Sequence, residues 1–270
     1  MYLESREVKE SSTVMMDELT DEKVCCGDCH EKKREPIIGE WNPYLGKGGP
    51  LGRKNYRITE KSPEKDLMRV LDNYNVARDY VTIRVLNRRI NADICREAYG
   101  IEFYDMKAVA SLVLRTQNGF FHVYVTDKVA ERWGVEASEV FGRAYRNMCV
   151  LGEFHLQDIC GAIEDSIGEN LSDGRSDRMF VVKEDALNSG AAAIVCPDLL
   201  LKIADQLDSD LYILPSSVSE IIVMRAPDED PDHLAWMVKD ANENVLEEED
   251  ILSSHVFLLD REDRRLRLVR

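Results

Sequence analysis

The stretch "LYILPSSVSEIIVM" sets Ser216, Ser217, Ser219 and Glu220 between two apolar runs. A nucleophilic serine needs a base within hydrogen-bond reach and an oxyanion hole, commonly built on a tight Gly-flanked turn. His255, in "SSHVF", is the candidate base, with Ser217 or Ser216 as nucleophile and Glu220 as the orienting acid. None of the serines has a glycine neighbour. The simpler reading is a junction in which Pro215, lacking an N–H, ends one strand. A serine then closes one turn by accepting a hydrogen bond from an N–H two or three residues on. The sequence favours the junction over the nucleophile.

Other clusters invite chemistry and fall short of it. In "CCGDCH", Cys26 and Cys29 have the two-residue spacing that lets both sulfurs reach one zinc, with His30 beside them. No second Cys-x-x-Cys pair completes four ligands, so solvated thiols are the expectation. The same pattern is that of covalent haem attachment, which belongs to exported chains with a leader this N-terminus lacks. "GKGGPLGRK" has the wrong order for a phosphate loop and no strand before it, which makes it a linker. "DEDPDH" and "EEED" lack the alternation and glycine of a calcium loop, and acids gather at helix starts for dipole reasons. His155, in "GEFHLQD", is expected to start a helix. No motif calls for a cofactor.

The elements that would position these residues begin near Pro63. Residues 1–62 have no sustained hydrophobic period and hold a Gly/Pro-rich stretch, so a flexible or partner-ordered segment is expected. From 63 to 270 a single α+β domain is expected, with a mixed, largely antiparallel sheet and helices packed on it. "YVTIRVLN", "MKAVASLVLR" and "GFFHVYVT" read as strands, the last two joined at Asn118-Gly119, a strong hairpin signal. "AVASLVL" is apolar on both faces and should be central. "RMFVVK", "GAAAIV", "LYIL" and "SEIIVMR" read as further strands, and "HVFLLD" with "RRLRLVR" as a pair turning at "DRED". "EASEVFGRAYRNM", "CPDLLLKIADQL" and, capped by Asp230 with Pro231 in the first turn, "PDHLAWMVKDAN" keep a helical period.

Composition bounds the function. The formal net charge is −16 over 270 residues, and it falls mostly in the C-terminal half. Such a surface repels phosphate backbones and argues against nucleic acid. No apolar run is long enough to cross a membrane, and the charged N-terminus has no signal-peptide core, which makes the cytoplasm the default. Cys95, Cys149, Cys160 and Cys196 sit among apolar neighbours and are expected to be buried thiols, not disulfide halves.

"GAAAIVCPDLLLKIADQLDSDLYILPSSVSEIIVM" and "LSSHVFLLDRE" together resemble an uncharacterised bacterial family of Gram-positive anaerobes, a domain of unknown function. Its members carry a Gly-Ala-Ala start, an Ile-Leu-Pro-Ser-Ser core and a Leu-Ser-x-His-Val close. The resemblance spans roughly residues 66–270. The first 65 residues depart from it, as does Ser219, where members often have His. It implies an α+β fold and assigns no reaction. The expected function is a non-enzymatic binding or regulatory domain with a protein partner possible; the alternative is a hydrolase-like enzyme using the Ser–His pair.

Overall fold

The structure is a computed structural model and describes residues 56–57, 68–116, 119–150, 152–168, 178–184, 187–215, 217–226 and 229–270. The expected N-terminal segment therefore lies almost wholly outside the described residues, as do Asn118 and Ser216.

The protein is α+β, built on two sheets where the sequence reading expected one. The first holds β1 (Tyr56–Arg57), β2 (Val81–Asn87), β3 (Gly100–Phe103), β4 (Met106–Thr116) and β5 (Gly119–Tyr124). β4 is its spine, pairing antiparallel with β2 along one edge and with β3 and β5 along the other. β1 joins it in parallel, upstream of the expected boundary at residue 63. From Ala108 to Leu114 every residue of β4 is buried, as a strand covered on both faces requires.

Helices α1 (Tyr74–Ala77), α2 (Ala92–Glu97), α3 (Asp127–Trp133) and α4 (Ala137–Tyr145) lie within or beside this half. α4 turns Val140, Phe141, Ala144 and Tyr145 inward against β2 and β4, the face its period marks. It runs on into a π-helical turn, Arg146–Val150. There buried Asn147 donates to the Val81 carbonyl at 2.8 Å and to that of Arg78 at 3.0 Å.

The second sheet runs β11 (Arg265–Leu268), β10 (Phe257–Asp260), β8 (Asp210–Leu214), β9 (Glu220–Ala226), β7 (Met179–Glu184), β6 (Phe154–Asp158), antiparallel throughout. α5 (Ile159–Ile167) follows β6, α6 (Pro197–Leu207) precedes β8, and α7 (Pro231–Asn244) follows β9. The two-residue period sorts its side chains. Leu211, Ile213, Ile221 and Val223 join the main core, whereas Tyr212, Leu214 and Met224 meet Leu234 and Val238 of α7. That main core is continuous with the first sheet, since it also contains Val81, Ile83, Ala110 and Leu112.

Four expectations need correction. "GAAAIV" is a fully buried 3-10 helix, Gly190–Val195, packed on β2, β7 and β9. A short apolar run looks alike in a core strand and a core helix, and the adjoining small residues let this one coil tightly. It therefore contributes no strand to either sheet, and β4 and β9, expected to share one, belong to different sheets. His155 lies in β6, and the helix starts only at Ile159, with Asp158 accepting from the Gly161 N–H at 3.1 Å. Cys149 and Cys196 form a disulfide across 47 residues, leaving Cys95 and Cys160 free. The fold carries their Cα atoms to 5.3 Å, a proximity their separate apolar contexts do not disclose.

Candidate functional site

β2, β4 and β5 place polar side chains side by side on one face of the first sheet. Ser111 stands directly between Thr82 and Tyr124, while Arg84 lies opposite Val109 and His122 opposite Val113. Successive residues of a strand point to opposite faces, so Thr82 with Arg84, and His122 with Tyr124, share a side. Thr82, Arg84 and Ser111 are buried; His122 and Tyr124 are partly so.

Hydrogen bonds link the cluster. Arg84 Nη1 lies 3.2 Å from His122 Nε2 and donates to the Asn188 carbonyl at 2.7 Å. His122 Nδ1 lies 3.3 Å from Ser111 Oγ. A guanidinium only donates, so Nε2 must present its lone pair and the ring proton sits on Nδ1. Ser111 Oγ is then an acceptor from His122, and its own proton faces the Leu112 carbonyl at 3.4 Å. Burial, then the charge of Arg84, lowers the His122 pKa from 6.5 to about 3, so the ring is neutral at physiological pH.

Arg84 is an uncommon buried cation. Burial pulls its pKa down, and Tyr124 and the more remote charge of Asp250 support its charged form. Among the described residues no carboxylate forms an ion pair with it, and its Nε has no hydrogen-bond partner. Lys107, also buried in this sheet, has the Glu102 carboxylate at 3.4 Å and the Cys95 carbonyl at 2.7 Å. Thr82 Oγ1 is likewise buried without a partner.

The three stretches that carry the family resemblance converge beside this cluster. Asn188, whose carbonyl meets Arg84, lies two residues before the Gly190 start. Gly190 packs so closely under the serine turn that an added Cβ would lie 2.4 Å from the Ser219 carbonyl oxygen. Ser217 bridges to Ile251, and the Val218 N–H donates to the Asp250 carbonyl at 3.1 Å. The Leu252 carbonyl accepts from Asn87 Nδ2 at 3.0 Å, and Ser253 Oγ donates to Asp105 at 2.8 Å. The serine turn, the 3-10 helix and the 250–253 segment thus clamp the second sheet onto the end of β2 and the turn between β3 and β4.

The residues singled out from sequence lie apart from the Arg84 cluster's hydrogen bonds. Ser217 Oγ accepts from the Ser219 N–H at 3.2 Å, closing one turn. His255 Nδ1 lies 3.2 Å from the Arg270 carbonyl, and Glu220 lies 3.9 Å from Lys183 Nζ. Among the described residues no hydrogen bond joins Ser217, His255 and the Glu220 carboxylate. Cys26, Cys29 and His30 lie outside the described residues, among which no group of three or more His, Cys, Asp or Glu is placed to hold a metal. The sequence reading missed Thr82, Arg84, Ser111 and His122. Their signal was a polar residue recurring inside strands that are otherwise apolar, in "VTIRV", "VASLV" and "FFHVY".

Fold and site together define a two-sheet α+β protein with a polar cluster buried at the meeting of its halves. The chain belongs to the Family of unknown function (DUF5688), whose model matches residues 53–261. No curated protein and no solved structure matches it.

Proposed function

We propose that the chain is a non-enzymatic binding domain of the bacterial cytoplasm, recognising its ligand at the cluster around Arg84. The observation that supports this is the contact of Arg84 with His122 Nε2. It occupies the lone pair a general base would use, and turns the Ser111–His122 pair into one in which histidine donates. Such a histidine orients groups; it does not remove the serine proton. A cation held rigid by neutral partners is the arrangement of a recognition site. On this reading Ser217 is a turn residue, and residues 63–270 act as one unit braced by the 250–253 segment.

The full chain, incubated with a fluorophosphonate that labels activated serines, is expected to remain unlabelled. A covalent adduct on Ser111, Ser216 or Ser217 that disappears in the matching alanine variant overturns the binding reading in favour of a hydrolase.

A further inference from the structure

The geometry points to a single carboxylate as the group bound here, held by the Nε edge of Arg84 with help from the Thr82 hydroxyl. This rests on the binding reading above. Arg84 Nη1 is already committed to His122 and Asn188, and the guanidinium also hydrogen-bonds Tyr124, which fixes its plane and leaves the Nε–H of its side edge without a hydrogen-bond partner. That edge is one of those by which guanidinium takes up a planar oxyanion in two parallel hydrogen bonds. Thr82 stands two residues back on the same face of β2, only 1% exposed, with Oγ1 unmatched. Two orphaned donors on one strand face, each costly to bury alone, are what a bound anion would satisfy.

Charge selects among anions. Arg84 is the cluster's one cation, because His122 is neutral and can add no second charge. Asp250 already acts on Arg84 through its field, and the chain as a whole carries −16. A carboxylate matches one positive charge with one negative charge, whereas a phosphate dianion would retain an unneutralised charge near Asp250. Access runs from β5, which among the described residues pairs with β4 alone and whose His122 and Tyr124 are partly exposed. The ligand is therefore a small organic acid, or the carboxylate end of a larger molecule.

Thermal unfolding of the full chain at pH 7 and constant ionic strength, titrated with acetate, inorganic phosphate or chloride, tests this. Acetate is expected to raise the midpoint in a saturable manner, with no saturable rise from phosphate or chloride. Arg84→Lys should abolish the acetate response, since an ammonium cannot present the two-pronged edge. Thr82→Val, which keeps the side-chain shape and removes only the hydroxyl, should weaken apparent acetate affinity about tenfold, the worth of one hydrogen bond to a charged group. Thr82→Val decides the matter if the lysine variant does not fold. Absence of a saturable acetate response, a stronger response to phosphate, or an acetate response unchanged in Thr82→Val overturns the carboxylate assignment. Those results leave the non-enzymatic reading standing, because that reading fails only through the serine adduct described above.

Discussion

At the scale of single residues, His122 links the site to pH. Its folded pKa lies at about 3, below the unfolded value of 6.5, owing to burial and then to Arg84. Between those two values the unfolded chain binds one proton more than the folded one, so acidification favours unfolding. The stability in question is fully present above about pH 6.5 and is lost as pH falls toward 3. The slope is about 1.4 kcal/mol per pH unit at most, since one proton is at stake. Carboxylates elsewhere also titrate in this window, so the informative quantity is a difference between variants. His122→Gln keeps an acceptor for Arg84 and removes the titration. Denaturant unfolding of both proteins at pH 6, 5 and 4 should show the wild type losing stability faster by about 1 kcal/mol per unit. Parallel pH profiles would mean that His122 is protonated within the folded protein.

At the scale of elements, the serine turn depends on the 3-10 helix beneath it. A Cβ on Gly190 would meet the Ser219 carbonyl oxygen at 2.4 Å, the Val182 carbonyl oxygen at 2.8 Å and the Glu184 nitrogen at 3.0 Å. All three are backbone atoms of β7 or the turn, and cannot swing aside as a side chain does. Gly190→Ala should therefore cost roughly 1–3 kcal/mol or more, the range for overpacked cores, measured as a shift in denaturant midpoint. An unchanged midpoint would show that the helix can slide away from the turn. Sequence pattern anticipated much of this layer. Helical period marked α6, a cap and a proline marked α7, two-residue alternation marked β5, and uninterrupted apolar character marked β4. It failed where the deciding contacts are distant in the chain. "GAAAIV" coils because β2, β7 and β9 enclose it, and no local period records that enclosure. The Arg84 cluster stayed hidden for the same reason: Arg84, Ser111 and His122 are spread over three strands, and only their register makes them neighbours.

At the scale of the whole molecule, a shared core and a covalent link hold the halves together. Residues of both sheets share the main hydrophobic cluster. The Cys149–Cys196 disulfide joins the π-helical turn after α4, on the side of the first sheet, to the N-terminus of α6, on the side of the second. Closing a 47-residue separation restricts the unfolded chain, a restriction that stabilises the folded state by roughly 2–4 kcal/mol. Reduction with dithiothreitol should lower the denaturant midpoint accordingly. A Cys149→Ala/Cys196→Ala double variant should start near the reduced value and respond no further to the reductant. A double variant that still loses stability on reduction would place the sensitive bond elsewhere. The link also bears on the cell, because persistent structural disulfides are rare where thiols are kept reduced. A cytoplasmic location predicts that alkylating intact cells before lysis traps Cys149 and Cys196 as free thiols, with the bond forming only after extraction. Recovery of the cross-linked peptide from those alkylated cells would move the protein to an oxidising compartment while leaving the Arg84 site unaltered, since neither cysteine hydrogen-bonds to it.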